Sequence, residues 1–422
     1  MFCKLLFLAL VASSIAEKAR YDNYRLYRIQ IENTEQLEVL RGIEEIGEGY
    51  DFWTEPANVG SHADLVVPPH KFGEFSDFVE RFNLQASLSQ SNLQTIFDEE
   101  QRRPARSGMS WTAYHRLDVI FAWMDQLLAT YPNVLTPISA GLSFEGRPLR
   151  GLKVSYKAGN PGVMIESLIH AREWVSGATA TWILNELLTS NDPQVRNIAE
   201  NYDWHFFPVA NPDGYEFTHT NTRMWRKTRQ PHSILCIGAD PNRNFGFNWN
   251  QGGSSSVACS DTFHGPQPFS ESETRGLMEY FAQHAETIST YISFHSFSQM
   301  LLLPYGHTTQ HLDNHDQILA IGQKAIDKLR ERYGTQYVVG NIAETIYIAS
   351  GGSIDHVKGV YGTPIAYTYE FRDTGTHGFA LPADQIIPNS EEAMDSIIVI
   401  LEEGEKEGLH RAAAAAAAAR AV

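Results

Sequence analysis

The chain has 422 residues, longer than one compact domain usually needs. Hydrophobic residues make up 43% and charged residues 20%, ample for a packed core and too apolar for a disordered chain. The formal net charge of −17 excludes nucleic acid and anionic membranes as general partners, since both bind basic faces. A local basic cleft remains compatible with it.

Residues 1–16, MFCKLLFLALVASSIA, read as a secretory signal, with Lys4, an apolar run from Leu5 to Val11 and a small-x-small site ending at Ala16. The run is too short to span a bilayer, and a buried amino-terminal helix is the competing reading. Cys3 leaves with the signal. Cys236 and Cys259 remain, an even pair in an oxidising compartment, and are expected to form one disulfide. No Asn-x-Ser/Thr sequon occurs, so N-glycans are not expected.

Residues 17–106 read as a separate unit. YRLYRIQI (24–31) alternates as a strand, and NTEQLEVLRGIEEI follows with helical spacing after Asn33 or Thr34 as N-cap. YDFWTEP and ADLVVPP are short strands, FGEFSDFVERF is a second amphipathic helix, and a fourth strand is placed near Leu84. That order predicts a small open α/β sandwich. QASLSQSNLQTIF begins a connecting helix. It leads to Arg102, Arg103 and Arg106 beside Pro104 and Gly108, a basic linker that reads as a proteolytic processing site, with a plain solvated linker as the alternative.

Over residues 107–410 helices alternate with strands. The helical stretches are TAYHRLDVIFAWMDQLLATY, WVSGATATWILNELLTS, SESETRGLMEYFAQHAETI, HDQILAIGQKAIDKLRERYG and SEEAMDSIIVILEEGEKE. The strand-like runs include GVMIESLI, WHFFPVAN, TYISFHSF and PIAYTYEF. This is an α/β domain, a mixed sheet flanked by helices on both faces. The alanine-rich end, 411–422, reads as an appended tail and takes no part in the fold.

Sites in such folds form where strands end and loops begin. Three of the four strand runs end at or beside His170, His295 and Glu370. His170 and Glu173, three apart on a loop, suit one metal ion, because a catalytic zinc takes three protein ligands and leaves a fourth position open. Alone, the pair is more often two chance surface residues. His295 on an apolar strand is more often a hydrogen-bonded core histidine. Glu370, costly to bury unpaired, either meets a base such as Arg372 or serves a site. Arg226 in MWRKTR and Asn242-Arg243 in DPNRNFG add anion-binding groups on loops.

Together, HAREW, MWRKTR, DPNRNF, SFHSFSQ, ETIYIASGGSID and YEFRDTG stand in an order and spacing similar to the secreted pancreatic-type zinc metallocarboxypeptidases. The chain most resembles procarboxypeptidases of the A type, with an insect digestive enzyme expected, and the resemblance extends through the activation segment. It implies a carboxypeptidase-like eight-stranded mixed sheet and one Zn2+ held by His170, Glu173 and His295. It implies Glu370 as general base and Arg226 as oxyanion stabiliser. Asn242, Arg243 and Tyr347 would clamp the substrate's terminal carboxylate, Arg172 would bind substrate nearby, and Asp240 would support His170. Cys236 and Cys259 match the family disulfide. The stretch from Tyr347 to Glu370 is one residue longer than in the mammalian pattern, which bears on the loop near HVKGVYGTP.

Family members that prefer basic C-terminal residues carry Asp where this chain has Ile354. The other matching pocket positions, Leu302, Gly306, Ile342, Ala349 and Thr368, are also uncharged. An apolar pocket does not compensate the desolvation of Lys or Arg, so release of aromatic and large aliphatic residues is expected. The resemblance further implies a secreted, monomeric zymogen. A trypsin-like protease would cut it at the basic linker, and it would act on peptides with a free C-terminus in a digestive lumen. A B-type or broad-specificity enzyme is the nearer rival. An inactive zinc-holding homologue requires loss of Glu370 or Arg226, and both are present.

Overall fold

The computed structural model describes residues 18–46, 49–101 and 108–410. The leader 1–16, the Arg102–Arg106 linker and the tail 411–422 lie outside the described residues. The amino-terminal unit runs β1 (Arg25–Gln30), α1 (Thr34–Ile46), β2 (Asp51–Thr54), β3 (His62–Val67), α2 (Phe72–Arg81) and β4 (Gln85–Gln90), followed by α3 (Leu93–Glu100). Its four strands form an antiparallel sheet in the order β2-β3-β1-β4. The expected fourth strand near Leu84 is thus present. Asn92 caps α3 by accepting from the Gln94 amide, which fixes where the connecting helix begins.

The larger unit begins with α4 (Leu117–Thr130), β5 (Leu135–Leu142), β6 (Pro148–Val154), β7 (Gly162–Ser167), α5 (Trp174–Thr189), α6 (Pro193–Asn201), β8 (Asp203–Phe207) and α7 (Pro212–Thr220). It continues with α8 (Ser272–His284), β9 (Ile288–Ser296), β10 (Met300–Leu303), α9 (His315–Tyr333), β11 (Val338–Asn341), α10 (Ile342–Thr345), α11 (Ser353–Tyr361), β12 (Ile365–Phe371) and α12 (Ile386–Lys406). Eight strands order as β11-β10-β12-β9-β7-β8-β6-β5. The central β12, β9, β7 and β8 are mutually parallel, and β6 and β5 continue antiparallel at one end.

Helices cover both faces of this sheet, so its central strands are buried on each side. Every residue of β7 and of β9 is buried, which explains their apolar runs. One core packs the sheet against α4, α5, α9 and α12 through residues such as Trp123, Ile183, Ile326 and Ile397. The opposite core joins Met164, Phe207, Leu277, Phe281 and Val357. At about 1.5–3 kcal/mol per large side chain, these two layers dominate the stability of the unit. α5 is apolar nearly all round because it is nearly all buried. A Cβ at its Gly177 would come within 2.3 Å of Leu168, so the helix lies close over the loop that carries His170.

The stretch HVKGVYGTP (356–364) forms the end of α11 and the turn into β12. Gly362 closes that helix in the left-handed conformation at φ 68° before β12. Cys236 and Cys259 are joined in a disulfide, as expected.

Candidate active site

The parallel strands β7, β9 and β12 end on the same side of the sheet. β7 delivers the loop Leu168–Glu173, β9 ends at Ser296 just past His295, and β12 carries Glu370. The register pairs Glu370 directly with His295. This is the crevice at the carboxyl ends of strands where open α/β sheets bind ligands.

His170, Glu173 and His295 are all buried, and one ligand atom from each lies within 4.8 Å of the others. His170 Nδ1 is 2.8 Å from Glu173 Oε1. His295 Nδ1 is 3.0 Å from His170 Nδ1 and 3.1 Å from Glu173 Oε2. Two imidazole nitrogens and a carboxylate aimed at one point away from water form a cation site. Burial alone would push the Glu173 carboxyl up, but His170 and His295 beside it hold it well below the usual carboxylate range. The outer nitrogen of His170 faces Asp240 Oδ1 at 3.1 Å. Asp240 is the kind of carboxylate that fixes the tautomer and orientation of a ligating histidine.

Asp240 ties several groups together. Arg226 donates to Asp240 Oδ2 from Nη2 at 2.8 Å and Nε at 3.1 Å, and the Asn242 amide donates to Oδ1 at 2.9 Å. Burial would raise the Asp240 carboxyl, yet Arg226 and His170 keep it well below its usual range. The remaining Arg226 nitrogen, Nη1, lies 3.8 Å from Glu173.

Beside this centre, Arg243 donates from Nη2 to the Tyr347 hydroxyl at 3.2 Å and from Nε to the Gly253 carbonyl at 2.8 Å. Gly253 and Gly351 sit at φ 65° and 77°, and a Cβ on Gly351 would fall 2.3 Å from the Arg243 carbonyl. These glycines let the loops crowd against the arginine. Asn242 Oδ1 accepts from the Ser353 amide, which fixes the first turn of α11 against the 242–243 segment.

Glu370 does not pair with Arg372. That arginine turns to Glu392 instead, with Nε donating to Oε1 at 2.7 Å. Burial, reinforced by Glu173 and opposed chiefly by His295, pushes the Glu370 carboxyl up to about 8.

One cleft of about 360 Å³ contains His170, Glu173, Arg172, Arg226, Asn242, Arg243, Tyr347 and Glu370. Leu302, Ile342, Ala349, Ile354 and Thr368 line it too, and Leu302 faces Thr368 across the β10–β12 ladder. Gly306 is not among the lining residues. A Cβ there would meet the Ala349 carbonyl at 2.5 Å, so its bareness lets the two loops close together.

The amino-terminal unit fills part of the same cleft. Phe52, Trp53, Thr54 and Glu55, from β2 and the residue after it, line it. Asp51 accepts from Arg172 Nη1 at 3.0 Å, and the Phe52 carbonyl accepts from Nη2 at 3.3 Å. Glu55 lines the cleft with Tyr347, Arg243 and Arg226, and its charge acts on all three. Asn58 Nδ2 donates to the Ile346 carbonyl at 3.0 Å. Trp53 and Phe97 pack with Met224, Phe297 and Phe379 in a shared apolar cluster. Glu100, at the end of α3, takes two 2.7 Å hydrogen bonds from Arg223, and both residues are buried. Sequence reasoning missed Asp51 and Glu55. Their only signal was two acids on a short edge strand otherwise rich in aromatics.

A buried two-histidine, one-carboxylate site with an adjacent carboxylate is the donor set and base of a metallohydrolase of the zinc type. A zinc carboxypeptidase family model matches residues 120–396, and a carboxypeptidase activation peptide model matches residues 27–100. The chain is 45% identical over 401 residues to zinc carboxypeptidase A 1 of Anopheles gambiae, covering 94% of this chain and 93% of that one. It is 54% identical over 297 residues to a zinc carboxypeptidase of Simulium vittatum, covering 70% and 98%. The solved carboxypeptidase A of Helicoverpa armigera superposes with a TM-score of 0.83 at 32% identity, over 94% of this chain and 99% of that one. The chain belongs to the zinc carboxypeptidase family. It is an A-type metallocarboxypeptidase with an activation peptide, and the His170–Glu173–His295 donor set fits the family's zinc.

Proposed function

We propose that this chain is a secreted digestive zymogen that, once trimmed near Arg102–Arg106, removes aromatic and large aliphatic residues from peptide C-termini. The observation that carries the reading is the convergence of His170, Glu173 and His295, with Glu370 next to His295 in register. The boundaries we assign are a leader over 1–16, an activation unit to 106, a catalytic unit over 107–410 and a tail beyond it. A monomer activated by a trypsin-like protease completes the proposal. Among the described residues no helix is long and apolar enough to cross a membrane.

His170, Glu173 and His295 hold zinc, which when bound supplies Lewis acidity, lowering the pKa of a water and polarising a carbonyl. Glu370 takes the proton of the attacking water and passes it to the leaving amine. Its place beside His295 in the ladder puts it within the same cleft as the ligands, where a positioned carboxylate can shuttle that proton. Arg226, fixed by Asp240, is already oriented toward Glu173 and offers positive charge to the oxygen that becomes anionic. Arg243 presents a planar fork to the substrate's terminal carboxylate, and Tyr347 closes the same clamp. Arg172 binds the substrate nearby. The uncharged wall of Leu302, Ile342, Ala349, Ile354 and Thr368 selects apolar side chains.

In the intact chain Glu55 stands at the clamp where a substrate carboxylate would, and Asp51 holds Arg172. Latency follows from these contacts. The test is Glu370→Gln in the trimmed protein. Turnover of a Phe-ending peptide is expected to fall by roughly 10²–10⁴. Undiminished turnover would refute the mechanism.

A further inference from the structure

Four carboxylates line the cleft: Glu55, Glu173, Glu370 and Asp355. The first three have roles above. Asp355 follows Ile354 in the first turn of α11 and is 1% exposed. A carboxylate in the wall of an otherwise apolar pocket offers a counter-charge to an incoming Lys or Arg, so what occupies its oxygens bears directly on specificity.

Both oxygens are occupied. The Gly306 amide donates to Oδ1 at 2.9 Å and to Oδ2 at 3.0 Å. Oδ2 also receives the His307 amide at 3.1 Å and faces His307 Nδ1 at 2.9 Å. The backbone donors are fixed by the chain path, which leaves the imidazole as the one side-chain donor among the described residues. Asn248 Nδ2 lies 2.8 Å from His307 Nε2. An amide donor on that nitrogen places the ring proton on Nδ1, facing Asp355. The ring is also wedged against Phe247 and Tyr305, with centroids 5.4 and 4.9 Å away. His307 therefore both caps the acid and plugs the space beside it.

We propose that His307 is a specificity-determining residue that withholds Asp355 from the substrate and so keeps the pocket closed to C-terminal Lys and Arg. This inference rests on the A-type carboxypeptidase reading of the same site. Without the ring, Oδ2 keeps only backbone donors, and an opening the size of an imidazole appears next to it. An ammonium or guanidinium then finds a partially free carboxylate within the wall.

The test uses the trypsin-treated protein and peptides identical except for a terminal Phe, Lys or Arg, with kcat/KM measured for each and folding checked by thermal melt. In His307→Ala the Arg-to-Phe ratio is expected to rise at least tenfold over wild type. His307→Gln, which keeps a side-chain donor, is expected to hold the ratio within threefold. Combining His307→Ala with Asp355→Asn should abolish the gain. An unchanged ratio in a folded His307→Ala that still cleaves the Phe peptide would overturn the proposal, as would a gain that survives in the double variant. His307→Leu carries the same expectation should His307→Ala fail to fold. A trimmed wild type that cleaves none of the peptides would instead sink the carboxypeptidase reading itself.

Discussion

Glu100→Ala should unlatch the activation unit. In the intact chain the Glu100 carboxylate and the Arg223 guanidinium form a bidentate pair in which neither side chain is more than 1% exposed. Removing one partner of such a pair costs ~3–5 kcal/mol, because the other charge stays buried without its counter-charge. Arg223 keeps bonds to the Arg172 and Phe379 carbonyls at 2.8 Å and lies 3.7 Å over the Trp174 ring, which places the loss near the lower end. The undocked state gives Arg223 back to water, so the loss falls on docking. About 3 kcal/mol corresponds to a ~10²-fold larger undocked population. The assay is hydrolysis of a Phe-ending peptide by the chain before and after trypsin. Basal activity should rise on the order of 10²-fold, capped at the trypsin-treated rate, which should match wild type. A folded variant whose basal activity stays within threefold of wild type would show that the pair does not hold the unit in place.

Arg243→Ala in the trimmed protein should lower kcat/KM on free-carboxylate peptides roughly 10- to 100-fold, the worth of a charged hydrogen-bond pair, and barely alter hydrolysis of C-terminally amidated ones; an equal loss on both would remove it from the clamp. Replacing Cys236 and Cys259 by Ala frees a link that spans 23 residues and should cost about 3 kcal/mol. A thermal melt should then show Tm lower by roughly 3–5 °C, and an unchanged melt would contradict it. Docking of the activation unit should weaken as pH rises. Burial next to Glu55 pushes Glu44 up to about 8, and burial pushes Asp51 up to about 6 against the pull of Arg172. These two carboxyls bind protons more tightly docked than undocked, so docking is strongest below ~4 and weakens as pH climbs toward about 8. The ratio of basal to trypsin-treated activity should therefore increase from pH 5 to pH 9, and a flat or falling ratio would refute the sign.

The strands that carry the centre were legible because both faces of the sheet are covered. GVMIESLI and PIAYTYEF read as buried strands by composition alone, and the polar residues at their ends then stood out. His295 was less legible for the same reason. In a strand whose nine residues are all buried, one more buried residue carries no information until Glu370 and His170 arrive beside it from 75 and 125 residues away in the chain. β5, β6, β10 and β11 went unassigned. The first two, at one end of the sheet, lack a clean two-residue alternation of buried and exposed positions, and the last two are four residues each, too short for periodicity to show. Asp51 and Glu55 were not legible at all. An acid on an edge strand normally reads as solvated, and only the cationic cleft of the other unit gives these two a partner.

That last point joins latency to catalysis. The arginines that bind the activation unit are not a separate docking patch. Arg172 takes Asp51, while Arg243 and Arg226 feel Glu55 beside Tyr347, and these are the groups we assign to the substrate. A chain with net charge −17 concentrates buried cations at one cleft because its substrate ends in a carboxylate. Left uncovered, the cleft would attract any peptide C-terminus. Covered by its own acids, it is satisfied until the linker is cut. Arg223 differs: it does not line the cleft itself, its charged partner is the buried Glu100, and its other bonds are to the backbone carbonyls of Arg172 and Phe379. A change at Glu100, on the activation unit's side of that pair, can therefore set how firmly the unit docks without touching a group that holds substrate, whereas a change at Arg243 alters both.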